Sequence, residues 1–206
     1  DELFMTVKGK GGHGAMPHQN IDPIAITAQI ITALQQVVSR NADPRTPSVL
    51  SWGKIIGNGA TNVIPDEVNL EGTFRTFDEK WRADAHERMV KMAVGIAESM
   101  GATCDFEVRK GYPFLVNEPG ITAAAQSYAI EYLGADNVVE LDLWPAAEDF
   151  AYYSQETNAC FYRLGTGNQE KGINSAVHTP TFDIDEKALE TSIGLMSYIA
   201  VQYLGN

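Results

Sequence analysis

Cysteine is scarce in this chain of 206 residues: Cys104 and Cys160 stand far apart and form no CxxC pair. That excludes a disulfide scaffold and a cysteine-rich zinc cluster, and cytoplasmic thiols are the plain reading. Cys104 alternates with Phe106 and Val108, so it is expected to pack as a small apolar group. Long apolar runs are missing too; none approaches the ~18 residues that span a bilayer, so a membrane is excluded as a partner. The opening stretch DELFMTVKGK has no basic segment leading into an apolar one, which argues against a secretory leader. It also lacks an initiator Met, the expectation for a processed or excised chain. Positive charge is in short supply, with 15 Lys and Arg against 27 Asp and Glu and a net charge of −12. Binding to phosphates needs a basic face, so nucleic acid is excluded as a partner.

The charge that is present is uneven. Residues 1–117 hold 12 Lys and Arg against 14 Asp and Glu, whereas residues 118–206 hold 3 against 13. Such a shift predicts two units, with the acidic half either a solvated surface or the surroundings of a cation.

The first half reads as strand, helix, strand, strand, helix, strand. Phe4 to Lys10 is extended, and Asp22-Pro23 opens a helix with a capping oxygen followed by proline at the first helical position. Ile24, Ala28, Ile31 and Leu34-Gln35 recur at helical spacing to about Ser39. Ser48–Ile56 and Val68–Thr76 alternate as strands. Asp78 caps a second helix with Trp81, Ala85, Met89, Met92, Ile96 and Met100 inward, stopped by Gly101. Thr103–Arg109 is the last strand. This order predicts an α+β fold: a ferredoxin-like βαββαβ module with both helices on one sheet face. The other face, or an edge strand, is left for a partner.

YPFLVNEPG at 112–120 reads as a linker. Beyond it come a helix at Ile121–Leu133, an extended run at Val138–Leu143, and a short helix opened by AAEDFAYY. A buried strand, ACFYRLG, is expected at 159–165, then a long loop and a helix over Asp185–Leu204 with Leu189, Ile193, Met196 and Tyr203 inward. So few strands make part of an α/β domain rather than a whole one.

Several residues are chemically suggestive. His13 sits in GGHGA, where flanking glycines allow close approach by a ligand or another backbone, although a loop histidine bonded to a local carbonyl explains it equally. His18 reads as a surface or capping residue and His86 as a solvated helix position. His178 ends the long loop, a setting for a metal ligand, a general base or a structural histidine. Glu148 and Asp149 either stabilise a helix start or orient a ligand histidine or metal-bound water. Arg75 offers a fork for a carboxylate, Asn62 lies in a nearby loop, and LGTG at 164–167 presents backbone N–H groups to an anion.

Taken together and in order, GKGGHGAMPH, the DP helix start, TNVIPDEVNLEGTFRT, AAEDFAYY and HTPTFDIDE resemble one family. It is the metal-dependent amidohydrolases of the aminoacylase and carboxypeptidase group, in the branch of hippurate hydrolase, N-acyl-amino-acid amidohydrolases and plant auxin-conjugate hydrolases. The resemblance implies that residues 1–117 are a lid and dimerisation domain. Residues 118–206 would be the C-terminal part of a zinc-peptidase-like α/β catalytic domain. His13 would reach across the dimer and stabilise the oxyanion formed when water attacks the amide carbonyl. Asn62 would contact substrate, Arg75 would anchor the carboxylate of the amino-acid moiety, and Gly165 and Thr166 would line the site beside it. His178 would be the final metal ligand, with Glu148 and Asp149 next to the metal. The metal would be zinc, with manganese or cobalt as alternatives.

The other ligands and the general base of that family precede the lid. The expectation is therefore a cytoplasmic, homodimeric parent enzyme acting on N-acyl amino acids or short peptides, while this chain alone is inactive and holds no metal. The alternatives are carboxypeptidase or dipeptidase specificity, or a non-catalytic dimerisation module.

Overall fold

Four extended segments alternate apolar and polar residues, and the sheet they form is the frame for everything that follows. A computed structural model describes residues 1–205. The chain divides into two compact units: Asp1–Phe114 with Pro145–Asp149, and Leu115–Trp144 with the chain from Phe150 onward.

In the first unit, β1 (Glu2–Lys8) is flanked by β5 (Glu67–Thr76) and β6 (Thr103–Arg109), and β3 (Ser48–Ile56) lies outside β5. All pairings are antiparallel, in the order β3-β5-β1-β6. This is the βαββαβ order expected of a ferredoxin-like module. Leu3, Met5 and Val7 of β1 share one face with Val68, Leu70 and Phe74 of β5, and all are buried. Helices α1 (Pro23–Gln36) and α2 (Glu79–Ser99) cover that face. The opposite face is polar: Thr6 donates to Asn69, and Lys8–Asp105 and Lys54–Glu71 form exposed ion pairs.

Both helix starts follow their caps. Asp22 accepts from the backbone N–H of Ile24 and Ala25, and Asp78 from that of Trp81. The buried stripes differ from those expected. On α1 they are Pro23, Ile26, Thr27, Ile30 and Leu34, while Ile24 is exposed. This helix is aliphatic on two sides, and the sheet takes the side through Ile26 and Ile30. On α2, Arg82, Ala85, Met89, Ala93 and Ala97 are buried, and Met100 is exposed. Small residues face the sheet, so the backbone approaches closely and the larger Trp81, Met92 and Ile96 flank the seam.

Arg82 is buried because it is fully engaged. Its Nε donates to Asp1 Oδ2 at 2.8 Å, its terminal nitrogens to Asp1 Oδ1, to Glu79 at 2.8 Å and to the Gly111 carbonyl at 3.0 Å. His86 joins the same cluster and corrects the solvated position expected from sequence. Its Nε2 lies 2.7 Å from Asp1 Oδ2, and its ring stands edge-on to Phe74. Burial first, then the Arg82 charge, pushes the His86 pKa down to about 4. A neutral ring therefore donates to Asp1 from Nε2.

The linkage has a definite sign. Unfolded His86 takes up a proton near pH 6.5, whereas the folded ring stays neutral to about 4. Its share of stability is complete above pH 6.5 and is lost as pH falls toward 4. The melting temperature is expected to drop between pH 6.5 and 5, and His86→Gln to flatten that drop. Identical profiles for both proteins would remove His86 as the cause.

The second unit contains α3 (Pro119–Leu133), α4 (Ala151–Glu156) and α5 (Lys187–Gly205). Among its described residues no strand forms, which corrects the strand expected at 159–165. That segment lacks a neighbouring strand and is held by Asn117, whose side chain accepts from Phe161 N–H at 2.7 Å and donates to its carbonyl at 2.9 Å. Val138–Leu143 is likewise without strand pairing. Helix α5 packs on α3 through Leu195 and the Tyr132–Tyr198 ring pair, 5.4 Å apart. The expected inward residues Leu189, Ile193 and Met196 lie outside this contact and are exposed.

Candidate active site

The glycine-rich segment after β1 builds a small ribbon. Strands β2 (Gly12–His13) and β4 (Val63–Ile64) pair antiparallel, with His13 opposite Val63. Two glycines are required by close approach. A Cβ at Gly9 would meet the Ile21 carbonyl oxygen at 2.1 Å, and one at Gly11 would meet that of Ile64 at 2.4 Å. Asp66 fastens the base of the ribbon: its carbonyl accepts from Gly9 N–H and its carboxylate from Gly11 N–H, both at 2.8 Å.

His13 is exposed at the end of this ribbon. Its Nδ1 accepts from the Ala15 backbone N–H at 3.0 Å. A neutral ring so bonded carries its proton on Nε2. The His13 carbonyl accepts from Asn20 Nδ2 at 3.1 Å, and Gly14 N–H donates to the Asn62 carbonyl at 2.8 Å. The fold thus brings His13 and Asn62 side by side. Asn20 and Asp66, which position them, were not picked out from sequence. Their one signal was a short Asn or Asp side chain in a loop near a proline, where such side chains bond nearby backbone.

Arg75 lies near the C-terminal end of β5, far from the ribbon. It is half-buried, and its Nε donates to Thr73 Oγ1 at 3.1 Å. His18 is exposed, beside Gln19, as expected for a surface residue.

In the second unit, Gly165 is exposed with open space where a Cβ would stand, and Thr166 is half-buried. The Thr166 carbonyl accepts from Asp185 N–H at 2.8 Å. Asp185 is buried and accepts from Lys171 Nζ at 2.7 Å and from Asn168 Nδ2 at 2.5 Å. The Lys171 and Asn168 bonds hold its carboxyl at a pKa of about 2. This knot organises the stretch that sequence alone presented as an open loop. His178 is exposed and has φ of 64°, the one positive φ outside glycine among the described residues. That conformation costs ~1–2 kcal/mol, and the Thr179 hydroxyl bond to the Ala176 carbonyl, at 2.7 Å, braces the turn around it. Glu148 and Asp149 belong to the first unit and precede the six-residue α4.

Residues 2–98 match the model of the peptidase dimerisation domain family. The first unit is a peptidase dimerisation domain of the M20 family. The chain is 37% identical over 203 residues to N-acetylcysteine deacetylase of Bacillus subtilis, covering 98% of this chain and 51% of that protein. It is 33% identical over 204 residues to thermostable carboxypeptidase 2 of Saccharolobus solfataricus, again covering 98% and 51%. A solved Bacillus subtilis dinuclear metal-binding peptidase of the M20 family matches with a TM-score of 0.74 at 30% identity, over 100% of this chain and 50% of that one. The chain spans about half the length of the curated relatives it matches.

The M20 dimerisation domain carries the His13–Asn62 ribbon and Arg75; the chain beyond it carries His178. Among the described residues, no three His, Cys, Asp or Glu side chains gather to hold a metal ion. A catalytic zinc typically takes three protein ligands, so His178 alone does not fit one. No helix among the described residues is long and apolar enough to cross a membrane.

Proposed function

We propose that the full-length M20 protein is a cytoplasmic, homodimeric, metal-dependent hydrolase of N-acyl amino acids. Residues 1–117 act as its lid, and residues 118–206 contribute to its catalytic domain. The observation that carries this reading is the His13 ring. With Nδ1 engaged by Ala15, the proton sits on the exposed Nε2, a preorganised donor for an amide oxygen as it gains negative charge. Asn62, fixed beside it on the same ribbon, contacts the substrate. Arg75 anchors the free carboxylate of the amino-acid moiety through the terminal nitrogens of its guanidinium, and Gly165 and Thr166 flank that carboxylate. His178 is one of the ligands of a divalent metal, zinc or else manganese or cobalt, with Glu148 and Asp149 beside it. The remaining ligands belong to the part of the protein outside this chain.

The test is hydrolysis by the full-length protein of N-acetyl amino acids against the same compounds as methyl esters or amides at the carboxyl end. Free-carboxylate substrates are expected to react at least tenfold faster in kcat/KM. Equal rates would remove the Arg75 anchor, and no hydrolysis of any amide would leave a non-catalytic dimerisation module. Carboxypeptidase specificity is the second reading, favoured by the likeness to thermostable carboxypeptidase 2. Faster release of a C-terminal residue from a peptide than from an N-acetyl amino acid would select it.

A further inference from the structure

Four cations stand on the strands of the first unit's sheet: Lys8, Lys54, Arg75 and Arg109. Three of them are neutralised there. Lys8 pairs with Asp105 at 2.6 Å, Lys54 with Glu71 at 2.6 Å, and Arg109 with Glu107 at 2.7 Å. Arg75 differs. Among the described residues it has no carboxylate partner, and its guanidinium is held through Nε, which donates to the Thr73 hydroxyl at 3.1 Å.

Thr73 and Arg75 are two apart on β5, so their side chains leave the same face of the sheet. A threonine hydroxyl has one proton to give. Here that proton goes to the Asp1 carbonyl, 3.0 Å away, so the oxygen meets Arg75 as an acceptor. The Asp1 carbonyl is a fixed point. It also accepts from Phe74 N–H at 3.1 Å, and the carboxylate of the same residue is buried against Arg82, His86 and Gly111. Threonine is stiff about its first side-chain bond, so the hydroxyl stays where the backbone sets it.

A guanidinium can grip a carboxylate side-on, through Nε and one terminal nitrogen, or end-on, through both terminal nitrogens. With Nε spent on Thr73, the end-on fork remains. We propose that Thr73 is a positioning residue for Arg75, holding Nε so that the two terminal nitrogens present an end-on fork to the carboxylate of the substrate. This rests on the reading above, in which Arg75 anchors that carboxylate. A neutral acceptor suits the task. A carboxylate in its place, as at the other three cations, would cancel the charge that the substrate has to meet, whereas a hydroxyl orients the side chain and leaves that charge whole.

Thr73→Val keeps the shape and the strand preference and removes the hydroxyl. In the full-length protein it is expected to raise KM for N-acetyl amino acids about tenfold, the worth of one hydrogen bond to a charged group, with kcat within about twofold of wild type. The preference for the free acid over its methyl ester should shrink by the same factor, since the ester carries no charge for the fork to meet. Thr73→Ser keeps the hydroxyl and should bring KM back to within about twofold of wild type. Thr73→Ala makes the same comparison where the valine variant does not fold. A rise in KM shared equally by acids and esters overturns the positioning role, because a merely structural change does not sort substrates by charge. A wild-type KM for Thr73→Val, while Arg75→Ala loses the preference for free acids, overturns it too and leaves the anchor standing. Arg75→Ala that keeps the preference overturns the anchor itself.

Discussion

His13→Ala in the full-length protein is expected to lower kcat by about 10²–10³-fold with KM nearly unchanged, the loss that follows removal of one oxyanion donor. The split between the two constants comes from where the hydrogen bond is made. A neutral imidazole N–H meets a ground-state carbonyl weakly and a developing oxyanion strongly, so its absence is felt in the transition state. The structure separates this from a folding defect. His13 is exposed, and its loop is fastened by backbone groups and by Asn20, Asn62 and Asp66, none of which needs the imidazole except the Ala15 N–H. The melting temperature of His13→Ala should therefore stay within about 2 °C of wild type. Steady-state kinetics on N-acetyl amino acids give the answer, with Asn20→Ala as a companion: loosening the His13 carbonyl should lower kcat less and in the same direction. A tenfold rise in KM with kcat intact would make His13 a binding residue and would sink the oxyanion role.

What could be read in the sequence divides along one physical line. Signals that act within a few residues were legible. Asp22 and Asp78 cap their helices as expected, because a capping oxygen reaches only two or three residues ahead. The strand order followed from alternation and element succession. Signals that need a distant partner were not legible. His86 looked solvated from its own helix, yet its neighbour Asp1 is 85 residues away. The β2–β4 ribbon pairs two-residue strands fifty residues apart, too short to show any periodicity. Residues 159–165 have the composition of a buried strand, but a strand exists only with a neighbour, and here Asn117 takes that place.

The same line explains the site. The motif order pointed to His13, Asn62 and Arg75 as a set. The strand expected at Val68–Thr76 already lay between Asn62 and Arg75; what their short spacing along the chain hid is that this strand carries Arg75 far from the ribbon. Extended backbone spreads the eight residues from Glu67 to Arg75 over ~27 Å, where a helix would span only ~12 Å.

The second large effect is on stability, and it lies in the cluster that sequence missed. Arg82→Met is expected to destabilise the first unit by ~3–5 kcal/mol, the usual cost of removing one partner from a buried ion pair. For a domain of about 100 residues that lowers the melting temperature by more than about 10 °C. The side chains of Arg82 and Asp1 are 6% and 1% exposed, so water cannot replace the lost bonds. The substitution leaves the Asp1 carboxylate with only the Gly111 N–H and His86, and strips Glu79 of its closest cation. Methionine conserves much of the stem volume, which keeps the cavity contribution small. A second substitution separates charge from packing. Adding Asp1→Asn to Arg82→Met removes the stranded charge while keeping an acceptor for Gly111, and should recover more than half of the loss. Were the single variant to melt within about 2 °C of wild type, the cluster would be a solvated surface pair worth under ~1 kcal/mol, and the burial that defines it would be wrong.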